Sequence, residues 1–295
     1  MGMAMVIVRS VYQFIAVLQK FSTAKRMNGE LWSGGAGLRS LFQAANWPRA
    51  DSSATLGFMD HIDVHCHFIP NLDDGSQSIN ESLELLRVMV SHGYSRIFCT
   101  PHCGAIEFTD LTPSEVAERV RMLQGHADAA EIPIQLRPGG ELRLSPNLAN
   151  GLPDGLVPTF GHVGKYVLAD LWEPDWPDWA TRGVEWLQAR GHTVIIAHPE
   201  RMTVLRENPN RINDLAALGV LFQGNLGPIA GADSVDVVNL ARRYLMDGRY
   251  FMVGSDGHRM SHIHARLNGL KVIEQLAGTE ALEELTLTHP SRLWT

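Results

Sequence analysis

Histidines and carboxylates recur in this chain at spacings that suit metal ions. His65-Cys66-His67 places two imidazoles at i and i+2, and Asp256-Gly257-His258 repeats the spacing with a carboxylate and an imidazole. On an extended strand, i and i+2 point to the same side, so each pair can converge on one cation. Further donors stand in Asp73-Asp74, Thr100-Pro101-His102, Gly140-Glu141, Asp170 and His198-Pro199-Glu200-Arg201. Imidazole with carboxylate suits zinc, manganese and iron, and bridging carboxylates let two or three ions sit close together. Cys66 and Cys103 alternate with histidines and need not ligate. His61, His92, His126, His162, His192 and His289 lack such surroundings and read as packing or surface residues. His262 and His264 follow the last motif but fall outside the expected ligand set.

The elements that must carry these donors are short apolar runs at 61–65, 96–100, 134–138, 166–169, 193–197, 220–223 and 250–254. Helical patterns lie between them at 81–92, 113–130, 178–190, 210–218 and 234–246. Thr112, Pro113 and Glu115 form a helix-start signature, and Gly93, Gly191, Gly219 and Gly248 stand at helix stops. Seven strands alternating with helices imply parallel βα units. Six of the seven strand ends carry a potential ligand on one rim, the rim that bears active sites in βα barrels. The expected fold is α/β, a distorted seven-stranded (β/α)7 TIM-like barrel.

The 295 residues are 45% hydrophobic, enough to bury a large core. A net charge of -7 argues against a nucleic-acid backbone as the main partner. Three cysteines in so long a chain are no disulfide framework, which points to a reducing, cytoplasmic setting. None has an arginine six residues on, so the Cys-(five residues)-Arg loop of thiolate phosphatases is missing. The apolar stretch 5–18 is broken by Arg9 and falls short of the ~20 residues that span a bilayer, so neither membrane insertion nor a cleaved leader is expected. Residues 1–58 carry only two acids, Glu30 and Asp51, with a Gly/Ser/Ala cluster at 33–37. They read as an extension, with a helix around 10–21 and then a linker, ahead of a domain spanning 59–295. Met59, just before the first motif, is the candidate natural start.

The run Ile62-Asp63-Val64-His65-Cys66-His67-Phe68-Ile69-Pro70, then Asp73-Asp74-Gly75 and Glu81-Ser82-Leu83, closely resembles the PHP (polymerase and histidinol phosphatase) superfamily. Within it, the chain resembles the metal-dependent tyrosine-protein phosphatases of bacterial capsule and exopolysaccharide clusters, the CpsB/CapC type. Thr100-Pro101-His102, Gly140-Glu141, Ala197-His198-Pro199-Glu200-Arg201 and Gly254-Ser255-Asp256-Gly257-His258 agree with it. The resemblance runs from about residue 60 to the C-terminus. It implies the PHP fold and three divalent metal ions, manganese first, with iron or zinc as options. The implied ligands are His65, His67, Asp74, His102, Glu141, Asp170, His198, Asp256 and His258, with Arg201 on the substrate phosphate. Three departures stand out. Asp170 replaces a glutamate and is one methylene shorter. Cys103 stands where relatives often have a second histidine. Both Arg259 and Arg266 are candidates for a phosphate-binding arginine after the last motif. Relatives act on a membrane-associated tyrosine kinase, so the resemblance implies a phosphotyrosine protein of that kind as partner, and a homo-oligomer stays open.

The charge balance supports a phosphate site. Asp74, Glu141, Asp170 and Asp256 bring four negative charges and three divalent ions bring six positive ones, which would move the chain from -7 to about -1. The expected chemistry is direct attack of a metal-activated water on phosphorus, with Arg201 offsetting charge on the phosphoryl oxygens and no thiolate required. A phenol leaves with a pKa near ~10, so phosphotyrosine makes little demand on a general acid. The loop Leu171-Trp172-Glu173-Pro174-Asp175-Trp176-Pro177-Asp178-Trp179 sits on the active rim. Packing on the next helix is the favoured reading of its tryptophans, with Trp172 the candidate to stack on a phenol. Three rival readings are a small-molecule phosphatase, such as one for histidinol phosphate, a nuclease or polymerase proofreading module, against which the net charge of -7 weighs, and a metal-binding protein without turnover.

Overall fold

The structure is a computed structural model that describes residues 60–104, 111–148, 151–153, 155–161 and 164–294. The segment 1–58, its expected helix at 10–21 and Met59 lie outside the described residues, as does His162. Among the described residues the strand segments are β1 (His61–Asp63), β2 (Tyr94–Cys99), β3 (His102–Cys103), β4 (Gln135–Pro138), β5 (Glu141–Arg143), β6 (Tyr166–Asp170), β7 (Thr193–Ala197), β8 (Leu221–Asn225) and β9 (Met252–Gly254). They pair in parallel throughout, in the orders β1-β2-β4 and β3-β5-β6-β7-β8-β9.

Two of the expected strands are followed, after a break, by short strand segments (β3 and β5) that the sequence expectation did not include. Pro101 separates β2 from β3, since proline has no N–H to give a ladder. Gly139-Gly140 separates β4 from β5, and a Cβ on Gly140 would stand 2.6 Å from Pro158 and 2.8 Å from Cys103 Sγ. The end of the chain's first strand run meets that of its last: the His67 N–H donates to Gly257 O at 2.8 Å and the Asp256 N–H to His65 O at 2.7 Å. Beneath that seam, buried Asp63 accepts the Ser255 N–H at 2.8 Å and its hydroxyl at 2.6 Å. Burial raises the Asp63 pKa to about 6 against the pull of those bonds.

The helices are α1 (Ile79–Ser91), α2 (Pro113–Ala129), α3 (Asp178–Ala189), α4 (Thr203–Glu207), α5 (Ile212–Ala217), α6 (Leu226–Ala230), α7 (Val235–Met246) and α8 (Met260–Ala277), followed by further short helical turns over 279–291. Ser78 caps α1 by accepting the Glu81 N–H, and Thr112 with Glu115 completes a reciprocal capping box on α2. The helices α4, α6 and α8 and the turns at 279–291 had no counterpart in the sequence expectation. Ile62, Val64, Phe98, Phe160, Leu168, Ile195 and Met252 form an inner core, and a larger one lies between strands and helices. At the strands' N-terminal ends, His61 bonds Thr286 at 2.7 Å and His289 bonds Phe251 O at 2.6 Å, so 279–291 packs there and leaves the opposite rim open. No helix among the described residues is long and apolar enough to cross a membrane.

Candidate metal centre

The donors cluster at the C-terminal rim around one oxygen, Glu141 Oε2. His102 Nδ1 lies 3.0 Å from it, His65 Nε2 3.3 Å and His67 Nε2 3.5 Å, while Glu141 Oε1 sits 2.8 Å from His198 Nε2. Asp256 Oδ1 stands 3.7 Å from both His65 Nε2 and His67 Nε2. Asp74, at the mouth, faces His102 Nε2 at 3.4 Å and His258 Nε2 at 3.3 Å. Three overlapping donor groups result: His67, Asp74, His102 and His258; His65, His67 and Asp256; His65, Glu141 and His198.

These groups fit divalent cations. Asp73 Oδ2 accepts from His67 Nδ1 at 2.7 Å, so the ring proton sits on Nδ1 and the Nε2 lone pair points inward. That lone pair meets His65 Nε2 at 3.2 Å, and His65 Nδ1 is itself held by Gln223 Oε1 at 2.8 Å. Two lone pairs aimed at one point repel unless a cation stands between them. Glu141 Oε2 is buried and has no hydrogen-bond partner among the described residues, though it is ringed by imidazole nitrogens. Burial lowers the His102 pKa, but Asp74 and Glu141 at its two nitrogens outweigh it and push the value up to about 11. For His198, Asp170 and Glu141 likewise outweigh burial and raise the pKa to about 9. Burial of Asp256 is outweighed by His65, Arg266 and Arg201, which hold its pKa well below the usual carboxylate range.

The backbone makes two sharp turns to present these groups. His198 has φ 31° and Asp256 has φ 49°, both in the left-handed region that non-glycine residues seldom occupy. Such strain is characteristic of functional sites. The His198 turn brings the Arg201 N–H onto His198 O at 2.9 Å and swings the Arg201 side chain over the rim.

The structure brings eight of the nine carried-over ligands into the three donor groups. The ninth, Asp170, stands at the edge. Its Oδ1 accepts the Leu171 N–H at 2.6 Å and its Oδ2 the Trp172 indole N–H at 2.5 Å, with His198 Nδ1 3.8 Å away. Arg201 and Arg266 both donate to Asp256 Oδ2, at 3.0 and 2.8 Å. Arg259 is paired instead with Glu81 at 2.8 Å. Trp176 and Trp179 pack against the core, whereas Trp172 stays 45% exposed, with the Arg143 guanidinium 4.2 Å from its ring centre.

Sequence reasoning missed Asp73 as the partner of His67, Asp63 as the tie to Ser255, and two amides, Gln223 and Asn225. The amides end β8, the one expected strand without an ionisable donor, and an i, i+2 polar pair closing an apolar strand was the available signal.

Residues 61–295 match the family described as "Capsular polysaccharide synthesis, CpsB/CapC". The chain belongs to the CpsB/CapC family. Among its relatives, the tyrosine-protein phosphatase YwqE of Bacillus subtilis is 29% identical over 227 residues, covering 76% of this chain and 88% of that one. The tyrosine-protein phosphatase CpsB of Streptococcus pneumoniae is 25% identical over 239 residues, covering 79% and 97%. A crystal structure from work on YwqE and CpsB, described as unique metal-dependent tyrosine phosphatases, superposes with a TM-score of 0.72 at 28% identity, over 79% of this chain and 94% of that one. The phosphotriesterase homology protein of Escherichia coli, at 12% identity and TM-score 0.53 over 81% and 99%, shares the fold alone. CpsB/CapC membership and a curled parallel α/β sheet with its donors on one rim are thus consistent findings.

Proposed function

We propose that this CpsB/CapC chain is a metal-dependent protein-tyrosine phosphatase acting on a tyrosine kinase of capsule or exopolysaccharide synthesis. The observation that carries the reading is the set of three donor groups linked through His65 and His67, with Arg201 held on Asp256 beside them. His65, His67, Asp74, His102, Glu141, His198, Asp256 and His258 would hold up to three divalent cations, manganese first, with Asp170 an outer neighbour of His198. When bound, such ions neutralise phosphate charge and make a water acidic enough to attack phosphorus at neutral pH. Residues 59–295 form the catalytic domain in this reading, folded as a distorted seven-stranded barrel, and buried free cysteines suit a cytoplasmic setting.

The chain's own residues then bind and orient the ester. Arg201 stands half-buried at the rim, with Nη1 3.0 Å from Asp256 and Nη2 3.3 Å from Asp233, which orients its planar guanidinium beside the donor groups for a phosphoryl oxygen. A cleft of about 270 Å³ is lined by Arg201 together with Leu171, Trp172, Met202, Thr203 and His198, and by the carboxylates Asp170 and Glu173. Apolar and aromatic walls suit a phenyl ring. Asp73 holds the His67 ring so that its inward nitrogen stays unprotonated. A phenolate leaving group needs no strong acid.

The test is hydrolysis of a phosphotyrosine peptide by the full chain, chelated and then resupplied with manganese, beside His198→Ala. Manganese-dependent turnover that falls at least ~100-fold in the variant is the expected result. Equal rates with chelator and with manganese would overturn the proposal.

A further inference from the structure

The eight donors are aimed by residues that do not themselves face the cations, and one group of these is continuous. Gln223, Asn225 and Glu200 are fully buried, and Tyr250 is nearly so. Gln223 Nε2 donates to Gly224 O at 2.6 Å and to Asn225 Oδ1 at 2.9 Å. Both amide hydrogens are therefore used on acceptors, and the amide cannot turn over without setting its oxygen against them. Gln223 Oε1 is left facing His65 Nδ1 at 2.8 Å, where it can only accept. Asn225 is fixed in the same way. Its Oδ1 takes the Gln223 hydrogen, its Nδ2 donates to Asp256 Oδ2 at 2.8 Å, and its backbone N–H donates to Glu200 Oε1 at 2.8 Å. Glu200 Oε2 accepts the Tyr250 hydroxyl at 3.0 Å, which ends the chain of bonds in the core.

We propose that the amide pair Gln223–Asn225 at the end of β8 positions the metal centre, with Gln223 fixing His65 as its Nδ1–H tautomer and Asn225 reserving Asp256 Oδ1 for the cation. The two halves follow from one direction of bonding. An imidazole that must donate from Nδ1 presents a lone pair at Nε2, the atom that faces Glu141, Asp256 and His67. Asp256 Oδ2 receives three donors, from Arg201, Arg266 and Asn225, so it is saturated. Its Oδ1 is left toward His65, His67 and His258. Reversing Asn225 would set its oxygen against Asp256 Oδ2 and its nitrogen against the Gln223 amide nitrogen. Both amides must therefore hold one orientation for both ligands to be correct. His67, by contrast, is oriented by a carboxylate, Asp73, so the two adjoining imidazoles are tuned by partners of different charge.

This inference rests on the metal-centre reading, and the experiment separates the two. Manganese affinity of the full chain is measured by calorimetry for wild type, Gln223→Met and Asn225→Ala, together with thermal midpoints. Ring ¹⁵N–¹H correlation spectra of chelated wild type, at a pH where the ring is neutral, report the His65 tautomer without recourse to a variant. The expected results are a proton on His65 Nδ1 and a 10- to 100-fold loss of manganese affinity in each folded variant, roughly the effect of removing a partner behind a ligand. A His65 proton on Nε2 in wild type overturns the proposal even if both variants fail to fold. So does a variant with a lowered thermal midpoint but wild-type affinity, which is what a purely structural role predicts. Wild type that takes up no manganese overturns the metal centre itself.

Discussion

Glu141 shows what single side chains contribute here. A carboxylate in the core with one oxygen unbonded is costly unless charge of the opposite sign completes it. His65, His102 and His198 outweigh its burial and hold its pKa well below the usual value, so it stays an anion at any pH where the protein functions. Arg201 has a different role, because it shares Asp256 Oδ2 with Arg266 and Asn225. Its removal leaves that oxygen two donors, so the ligand geometry survives while the half-buried guanidinium is lost. Arg201→Ala should therefore lower kcat/KM for a phosphotyrosine peptide by about 10²- to 10³-fold, with manganese affinity changed less than ~10-fold. Steady-state kinetics beside a manganese titration read both quantities. A parallel collapse of the two would mean that Arg201 holds the metal site rather than the phosphate.

Among the elements, α8 is held by tertiary contact rather than by its own sequence. It has no side-chain cap, and Arg259 at its start is tied to Glu81. Its anchor is Gly269, where a Cβ would stand 2.5 Å from Leu226 O and 3.0 Å from that residue's Cα. Backbone cannot move aside as a flexible side chain does. Gly269→Ala should therefore destabilise the fold by roughly 1–3 kcal/mol despite alanine's better helix propensity. Gly125→Ala in α2, where nothing lies within 4 Å, should instead stabilise by about 0.5–1 kcal/mol. Urea midpoints of the two variants should move in opposite directions, and a shared direction would refute the packing argument. The same contrast explains what could be read from the sequence. The helix α2 announces itself through Thr112 and Glu115, which act within one turn, and α1 through its stop at Gly93, whereas its cap Ser78 was not read. The strand ends were legible because apolar runs stop at His, Asp or Glu. By comparison α8, α6 and the break at Gly140 depend on residues far apart in the chain. Gln223 and Asn225 escaped notice because neutral amides acquire a role only once His65 and Asp256 lie beside them.

At the scale of the molecule, the two rims of the sheet are held by different chemistry. The functional rim gathers donors that follow β1, β7 and β9 and lie on β3 and β5, so a bound cation ties strand ends together. Manganese at 100 times its dissociation constant should add about 2.7 kcal/mol, a rise of roughly 5–10 °C in Tm for a domain this size. Scanning calorimetry of chelated and loaded protein measures it, and coincident transitions would exclude a structural contribution from the ions. At the opposite rim the link between β1 and the turns at 279–291 is an uncharged hydrogen bond. His61 starts β1 and is fully buried; its ring bonds Thr286 across 225 positions, while its Nε2 has no hydrogen-bond partner among the described residues. Burial, against a smaller opposing pull from Asp60, lowers its pKa from 6.5 to about 4. Above pH 6.5 the ring is neutral in both folded and unfolded chains and has no effect on stability. Between 6.5 and 4 the unfolded chain binds the proton and the folded one does not, so stability falls as pH falls. By pH 5 this amounts to about 2 kcal/mol. His61→Phe removes the titration while keeping a ring against Tyr94, which lies 5.3 Å away between centroids. The variant should start less stable at pH 7.5, having lost the Thr286 bond. It should then lose about 2 kcal/mol less than wild type on acidification to pH 5, measured by urea unfolding with chelator in both proteins so that metal release does not intrude. Parallel stability curves would show that His61 takes up its proton as readily in the folded protein as in the unfolded chain, and that the closed rim is wetter than its packing implies.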